Sequence, residues 1–210
     1  AGIDADREVV AIVTSTEVGD TAAAPRKAIG GRWPIAEVDA LRARGWEVRD
    51  MGDGTVRRLV PSPDPIDVLE AATVSRLFDD GVAVIAGGGG GVPVQRTADG
   101  SLHGAEAVVD KDLVSALLAT RVRADLLMIL TDVDRAYVDF GTPRQTAIDE
   151  MTAREARTHL ARGAFGEGSM APKVEAACRF VEAAGGRSVI CHLDAAADAL
   201  AGRGGTQVLA

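Results

Sequence analysis

Short apolar runs rich in β-branched residues recur along the chain, and segments with helical spacing of apolar residues lie between them. Strands that alternate with helices indicate a mainly parallel, open sheet sandwiched by helices, so the expected fold class is α/β. The predicted strands are 9–13, 82–86, 126–130, 188–191 and, with a weaker signal, 206–209.

Three helices are predicted from their boundaries. In the first, Asp64 is the capping residue and Pro65 the first helical residue, with Leu69, Thr73 and Leu77 on one face. The predicted spans are 65–80, then 152–163, which opens with a capping box, and 172–184, which ends before a pair of glycines.

Residues 16–63 have a different pattern, because they combine a long polar loop, a short helix near 35–44 and a tight hairpin near 51–54. Such a segment between sheet strands predicts a protruding subdomain or lid. At 210 residues, the chain is expected to form a single domain over 1–210 with this lid attached.

The composition argues against several classes of protein. A net charge of −8 and an aromatic content of 3% provide neither a basic surface nor base-stacking rings, so no nucleic-acid partner is expected. No long apolar run predicts a membrane span, and no secretion signal is evident, which favours the cytoplasm. Two cysteines exclude a disulfide framework, and the three histidines lack metal-ligand spacing.

Lysine is rare in this chain. Of 23 basic residues only Lys27, Lys111 and Lys173 are lysines, and the other 20 are arginines. A position that needs only a solvated cation has therefore been filled by arginine. Because the two side chains differ in shape, hydration and stem flexibility, each lysine marks a position where arginine does not serve.

Lys173 falls in the first turn of the helix predicted from Pro172. A cation there opposes the helix dipole at a cost of roughly 0.3–1 kcal/mol, but it becomes favourable once an anion binds at the helix N-terminus. The glycine-rich composition of residues 166–169, just before this helix, predicts a flexible loop that closes on a ligand.

Five consecutive glycines, 87–91, follow the predicted strand 82–86. Their backbone amides can approach an anion closely, and ligands bind at strand C-termini in open α/β sheets, which favours anion binding over a mobile turn. No Lys-Ser or Lys-Thr follows as in a P-loop, and the dinucleotide spacing fails because Val92 occupies its last glycine position.

Two further clusters of charge admit two interpretations each. Asp110, Lys111 and Asp112 form either a helix cap with an exposed turn or a site in which Asp112 orients cations. Asp132 and Asp134 follow the strand 126–130, where they could hold Mg²⁺ or serve turn chemistry alone.

Several motifs together resemble those of carbamate kinases, in the amino-acid kinase superfamily, in order and spacing across essentially the whole chain. The most specific is the pairing of DKDL with GSMxPK. The matching segments are 26–30 (RKAIG), 60–65 (VPSPDP), 87–94 (GGGGGVPV), 105–113 (AEAVVDKDL), 129–133 (ILTDV), 139–143 (DFGTP), 168–177 (GSMAPKVEAA) and 205–208.

The resemblance implies reversible phosphoryl transfer between ATP and carbamate, giving ADP and carbamoyl phosphate, in arginine catabolism with ATP generation. Mg²⁺ would accompany the nucleotide, and no residue is assigned as its ligand. By position, Lys111 and Lys173 resemble the two catalytic lysines that neutralise the moving phosphoryl group, and Asp112 the carboxylate that holds them. Lys27 resembles the lid lysine that reaches carbamoyl phosphate.

The resemblance also implies the binding residues. The glycines expected to line the substrate pocket are Gly88, Gly89 and Gly90. The residues expected to surround the nucleotide are Thr131, Asp132, Val133, Tyr137, Met170 and Pro172. A homodimer is implied as well.

The chain departs from the family pattern in two places. It lacks the N-terminal part with a Gly-Gly-Asn strand and a second glycine-rich loop, so we expect an N-terminally incomplete form of the domain. Gly31, Arg32 and Trp33 replace the usual Pro-aromatic step in the lid. Two alternatives therefore stay open: a related amino-acid kinase with another acceptor, and a non-catalytic nucleotide-binding remnant of the same fold.

Overall fold

The computed structural model describes residues 7–22, 24, 26–165 and 170–210. Within them the strands are β1 (Val9–Ala11), β2 (Ser15–Val18), β3 (Arg26–Pro34), β4 (Glu47–Asp50), β5 (Thr55–Pro61), β6 (Pro65–Val68), β7 (Ala83–Ile85), β8 (Val92–Arg96), β9 (Leu102–Gly104), β10 (Leu126–Thr131), β11 (Ala136–Val138), β12 (Thr146–Ile148), β13 (Glu150–Thr152), β14 (Arg187–His192) and β15 (Thr206–Leu209). The helices are α1 (Val38–Ala43), α2 (Ala71–Asp79), α3 (Lys111–Arg121), α4 (Ala153–Ala161), α5 (Met170–Ala184) and α6 (Ala196–Leu200), with 3₁₀ turns at Ile35–Glu37, Gly88–Gly90 and Leu193–Ala195.

The α/β class is confirmed, and all five predicted strands are present with ends that differ by at most two residues. Parallel ladders join β1 to β7, β10 to β14, β13 to β15 and β2 to β8. Antiparallel ladders accompany them in the two four-stranded sheets, whose strand orders are β10-β14-β15-β13 and β6-β2-β8-β9. No helix in the described ranges is long and apolar enough to cross a membrane.

Helix α5 lies at the centre of the main core. Its apolar face, with Val174, Cys178 and Val181, is buried and packs in one cluster with Ile190 of β14 and Ala156 of α4. Burial raises the pKa of the Cys178 thiol to about 11, as suits a packing role rather than a reactive one. The capping box predicted for α4 is confirmed at Thr152 and Glu155, which exchange side-chain and backbone hydrogen bonds.

The helix predicted over 65–80 is wrong in its first part. Residues 65–68 form strand β6 instead, antiparallel to β2 with Thr16 opposite Val68, and the helix begins only at Ala71. Beyond the strand, the Glu70 carboxylate accepts a hydrogen bond from the Ser15 amide at 2.7 Å. Pairing with β2 thus outweighs the local capping signal at Asp64.

The same change moves the buried face of the helix. Ala71 and Val74 point into the core, whereas Thr73, predicted to lie on the apolar face with Leu69 and Leu77, is exposed. The helix starts six residues later than predicted. Its buried face is therefore set by tertiary packing and not by the spacing of Leu69, Thr73 and Leu77 in the sequence.

Among the described residues, strands replace most of the long polar loop predicted within residues 16–63. β2 belongs to a four-stranded sheet, and β3 is a nine-residue strand that pairs with β5, which also pairs with β4. The short helix and the hairpin at 51–54 are confirmed as α1 and the β4–β5 turn. We refer to β3, β4 and β5 as the three-stranded sheet; that it forms a separate lid stays a prediction.

The glycine run after β7 forms a tight turn against helix α3. At Gly90 (φ 94°) a Cβ atom would lie 2.3 Å from the carbonyl oxygen of Val109, whereas at Gly89 (φ 67°) it would meet no atom within 4 Å. Gly88 and Gly89 are exposed. The turn therefore packs one glycine against the backbone that leads into α3 and leaves two others facing open space.

This geometry predicts different costs for two substitutions that place alanine at a positive φ. Gly89→Ala should lower the free energy of unfolding by about 1–2 kcal/mol, the cost of the left-handed conformation alone. Gly90→Ala should cost about 1–3 kcal/mol more, because its methyl group meets backbone that cannot move aside cheaply. Urea denaturation of both variants measures the difference, and equal costs would contradict the packing described for Gly90.

Candidate active site

Asp110 positions the first turn of α3. It has extended backbone angles, and its Oδ1 accepts a hydrogen bond from the Asp112 amide at 2.9 Å, so the capping interpretation is confirmed. The cap fixes Lys111 and Asp112 as the first two residues of the helix. Helix N-termini attract anions through their free amides and the helix dipole.

Lys173 of α5 reaches across to this turn. Its Nζ lies 2.8 Å from Asp112 Oδ2, and the two side chains are only 6% and 12% exposed. Removal of one partner from a buried pair of this kind typically lowers the free energy of unfolding by about 3–5 kcal/mol, because the other charge is left buried and unpaired. The pair joins α3 to α5, and its two residues are 61 positions apart in the sequence.

Lys27, on β3, contacts the capping residue itself. Its Nζ lies 2.7 Å from Asp110 Oδ2, and the lysine side chain is 48% exposed against 12% for the aspartate. Burial alone would raise the pKa of Asp110, but the hydrogen bond and charge of Lys27 outweigh it and hold the pKa below its ordinary value. Asp110 is therefore ionised at neutral pH.

Lys111 is the third lysine of this cluster, and it is exposed. In the described part of the chain, its ammonium makes no ion pair. The resemblance assigns Asp112 to both catalytic lysines, whereas the structure brings Asp112 to Lys173 and leaves Lys111 facing solvent. Three lysines and two aspartates leave one net positive charge at the N-terminus of α3.

The exposed glycines lie beside the same turn, because Gly90 packs against Val109, the residue before Asp110. Gly87 packs against Val114 and Leu118 on α3. The predicted substrate residues Gly88 and Gly89 thus adjoin the helix end that carries Lys111. The loop 166–169, predicted to close on a ligand, lies outside the described residues.

A cavity of about 250 Å³ opens at the end of β10, near the start of α5. Five of the six residues predicted to bind the nucleotide line it, and the lining also contains two phenylalanines that sequence reasoning missed. The lining residues are Thr131, Asp132, Val133, Tyr137, Phe140, Phe165 and Met170. Pro172 is not among them. Met170 precedes Lys173 by three residues, roughly 4.5 Å along the axis of the helix.

The cavity has an aromatic wall. Three of the seven aromatic side chains in the sequence line it, and the rings of Tyr137 and Phe140 lie 5.8 Å apart. Phe140 belongs to the DFGTP motif and Phe165 directly precedes residues 166–169, but neither position has a local sequence signal for the cavity. The lining suits a flat, apolar ring system.

The two carboxylate oxygens of Asp134 each contact a neighbouring side chain. The Tyr137 hydroxyl donates to its Oδ1 at 2.7 Å, and Arg135 Nε lies 3.0 Å from its Oδ2. The hydrogen bond from Tyr137 and the charge of Arg135 outweigh the effect of burial and lower the pKa of Asp134, while the carboxylate raises the pKa of Tyr137. Across the residues placed by the structure, no three potential metal ligands cluster. The Asp134 carboxylate is thus held within its own turn by Tyr137 and Arg135.

Comparisons with known proteins place this geometry in a family. Residues 36–192 match the model of the amino acid kinase family. A carbamate kinase from Thermoplasma acidophilum is 47% identical over 185 residues, which cover 88% of this chain and 60% of that protein. A carbamate kinase from Staphylococcus haemolyticus is 42% identical over 212 residues, which cover 98% of this chain and 68% of that protein.

A solved structure is similar over the same extent. Carbamate kinase from Giardia lamblia bound to AMP-PNP matches with a TM-score of 0.85 and 35% identity, over 97% of this chain and 66% of that one. The chain thus spans about 60 to 68% of the length of these three relatives. It belongs to the amino acid kinase family and, within that family, to the carbamate kinases.

Proposed function

We propose that the protein transfers a phosphoryl group reversibly between ATP and carbamate, with ADP and carbamoyl phosphate as the other pair. The observation that carries the proposal is the buried Lys173–Asp112 pair beside an exposed Lys111, on a helix end that adjoins two open glycines. The aromatic cavity opens one helical turn away along α5. Cations, backbone amides and a cavity for a ring system thus lie together.

The arrangement suits phosphoryl transfer because that reaction needs positioning and charge stabilisation more than covalent help. Two anionic reactants repel each other, and ammonium groups on flexible stems can follow negative charge as it moves between them. Lys173 is held by Asp112, so its position is fixed. Lys111 is free to contact the transferred group.

The cavity is proposed as the site of the adenine ring. Its aromatic and apolar lining provides stacking surface, and the Giardia relative was solved with AMP-PNP bound. Mg²⁺ would accompany the nucleotide and neutralise phosphate charge. Since Mg²⁺ is commonly held by phosphates and one or two carboxylates, the described residues fit it through Asp132, which lines the cavity and is exposed.

Carbamate and carbamoyl phosphate are proposed to bind between Lys27 and the open glycines. Both are small and anionic, and the cluster has one net positive charge. A cytoplasmic location, a homodimer and a role in arginine breakdown with ATP generation complete the proposal, and they rest on the similarity to carbamate kinases. A different acceptor or a non-catalytic module would appear as inactivity with carbamoyl phosphate.

Lys111→Arg tests the chemistry without disturbing the fold, because Lys111 is exposed and unpaired among the described residues. The variant should lose ATP formation from ADP and carbamoyl phosphate by about 10²-fold or more, since a planar guanidinium cannot take the place of the ammonium. A coupled assay for ATP and a thermal melt measure both properties. Arg121→Lys, at the other end of α3, is the matched control and should keep its rate. A rate like that of the wild type in Lys111→Arg would contradict the proposal.

Phe140→Ala tests the assignment of the adenine site. Phe140 is 62% exposed but lines the cavity, so loss of its ring should weaken ADP binding with little effect on the fold. Stacking of a base on an aromatic ring contributes roughly 1–3 kcal/mol to binding. Because this contact stabilises the bound substrate and the transition state equally, we expect KM for ADP to rise about 10-fold while kcat changes little.

Phe78→Ala provides the control for this variant. Phe78 is 48% exposed on α2 and is not part of the cavity. Steady-state kinetics should give a wild-type KM for ADP in that variant. An unchanged KM in Phe140→Ala, or an equal rise in both variants, would remove the adenine site from this cavity.

A further inference from the structure

Three contacts attach the three-stranded sheet to the segment 106–110, which leads into α3. The Val108 amide donates to the Pro61 carbonyl at 2.9 Å. Arg58 pairs with Glu106, and Lys27 pairs with Asp110. The sheet that carries Lys27 is thus attached to the few residues that precede the first turn of α3.

The two ion pairs differ in their surroundings. Glu106 is 76% exposed, so its attraction to Arg58 is screened by solvent and contributes little. Asp110 is 12% exposed, and its pair with Lys27 is correspondingly less screened. Of these two attachments, the contact at Asp110 has the greater effect on where the sheet and its lysine lie.

Asp110 performs two tasks with its two oxygens. Oδ1 accepts from the Asp112 amide and caps α3, while Oδ2 accepts from Lys27. One carboxylate therefore fixes the lysine of the three-stranded sheet relative to the turn that carries Lys111. An ammonium has three donors. Since Lys27 is half-exposed, donors that do not face Asp110 are open to a ligand.

We propose that Asp110 is a positioning residue, which holds the Lys27 ammonium beside the first turn of α3 so that Lys27 and Lys111 contact one anionic substrate together. The identity of that substrate as carbamoyl phosphate rests on the proposed function. Asp110 itself acts through Lys27 and makes no contact with the reacting atoms.

An effect of net charge alone would change KM in the opposite direction from a loss of positioning. Neutralising Asp110 adds positive charge to a site for an anion, which would strengthen binding and lower KM. Loss of positioning frees Lys27 to leave the site, which weakens binding and raises KM. The sign of the change in KM therefore separates the two effects.

Asp110→Asn is the decisive variant, because asparagine caps a helix as well as aspartate does and the cap of α3 is kept. KM for carbamoyl phosphate should rise about 10-fold and kcat should change less than about 3-fold, while the thermal midpoint stays near that of the wild type. Glu106→Gln removes the exposed attachment and is the matched control, with wild-type KM expected. A lower or unchanged KM in Asp110→Asn, or an equal rise in Glu106→Gln, would overturn the proposal.

A double-mutant cycle with Lys27→Met tests whether Asp110 acts through the lysine. In a chain that already has methionine at 27, Asp110→Asn should leave KM unchanged, since there is no ammonium left to position. The same 10-fold rise in both backgrounds would mean that Asp110 acts through the fold, and would refute the positioning role.

Hydrogen exchange provides a readout that does not depend on activity. Without ligand, amides of the peptide 26–34 should exchange about 10-fold faster in Asp110→Asn than in the wild type, and Glu106→Gln should exchange like the wild type. If the wild type forms no ATP from carbamoyl phosphate, the proposed function fails while the exchange still decides the role of Asp110. Unchanged exchange in an active enzyme would refute only the positioning role.

Discussion

The ion pair between Lys173 and Asp112 fixes the two helices on which the site is built. Its side chains are 6% and 12% exposed, so bulk water cannot solvate either charge. An unpaired charge in such a position costs several kcal/mol, and contact between the two groups is therefore a condition of folding. Because the partners stand in the first turns of α3 and α5, neither helix can slide along the other without separating them.

Close packing of the helices makes this contact possible. Ala116 and Ala119 of α3 and Ala176 and Ala177 of α5 are buried in one core cluster. Small side chains let helix axes approach, and the approach brings the lysine stem across to the neighbouring helix. A buried pair is often no better for stability than apolar residues of the same volume. Its position beside open glycines and an exposed lysine agrees with the catalytic role proposed for it.

The sequence predicts those elements whose signals are local or compositional. The strand 126–130 is an uninterrupted run of five apolar residues, and the capping box at Thr152 depends on residues three positions apart. The failure at Pro65 has the opposite origin. Its partner strand lies about fifty residues earlier, and Thr16 opposite Val68 leaves no mark in the sequence around Asp64.

The same limit applies to the site. Counting lysines identifies all three lysines of the cluster, because the rarity of lysine is a property of the whole composition. The partner of Lys27 is 83 positions away, and nothing near Asp110 indicates a second role besides the cap. Phe165 likewise reaches the cavity through the fold alone. Residue type is readable from the sequence, whereas pairing across elements is decided by packing.

The three lysines are held to different degrees, and this difference explains why arginine replaces none of them. Lys173 is buried with a single carboxylate, where five donors of a guanidinium would leave most unsatisfied. Lys27 is half-exposed and anchored at one side, so it needs donors that diverge from its anchor, as those of an ammonium do and a planar fork does not. Lys111 is exposed and can follow moving charge. A fixed, an anchored and a free cation around one helix end suit the proposed phosphoryl transfer, in which charge would shift between two anions while the protein itself stays in place.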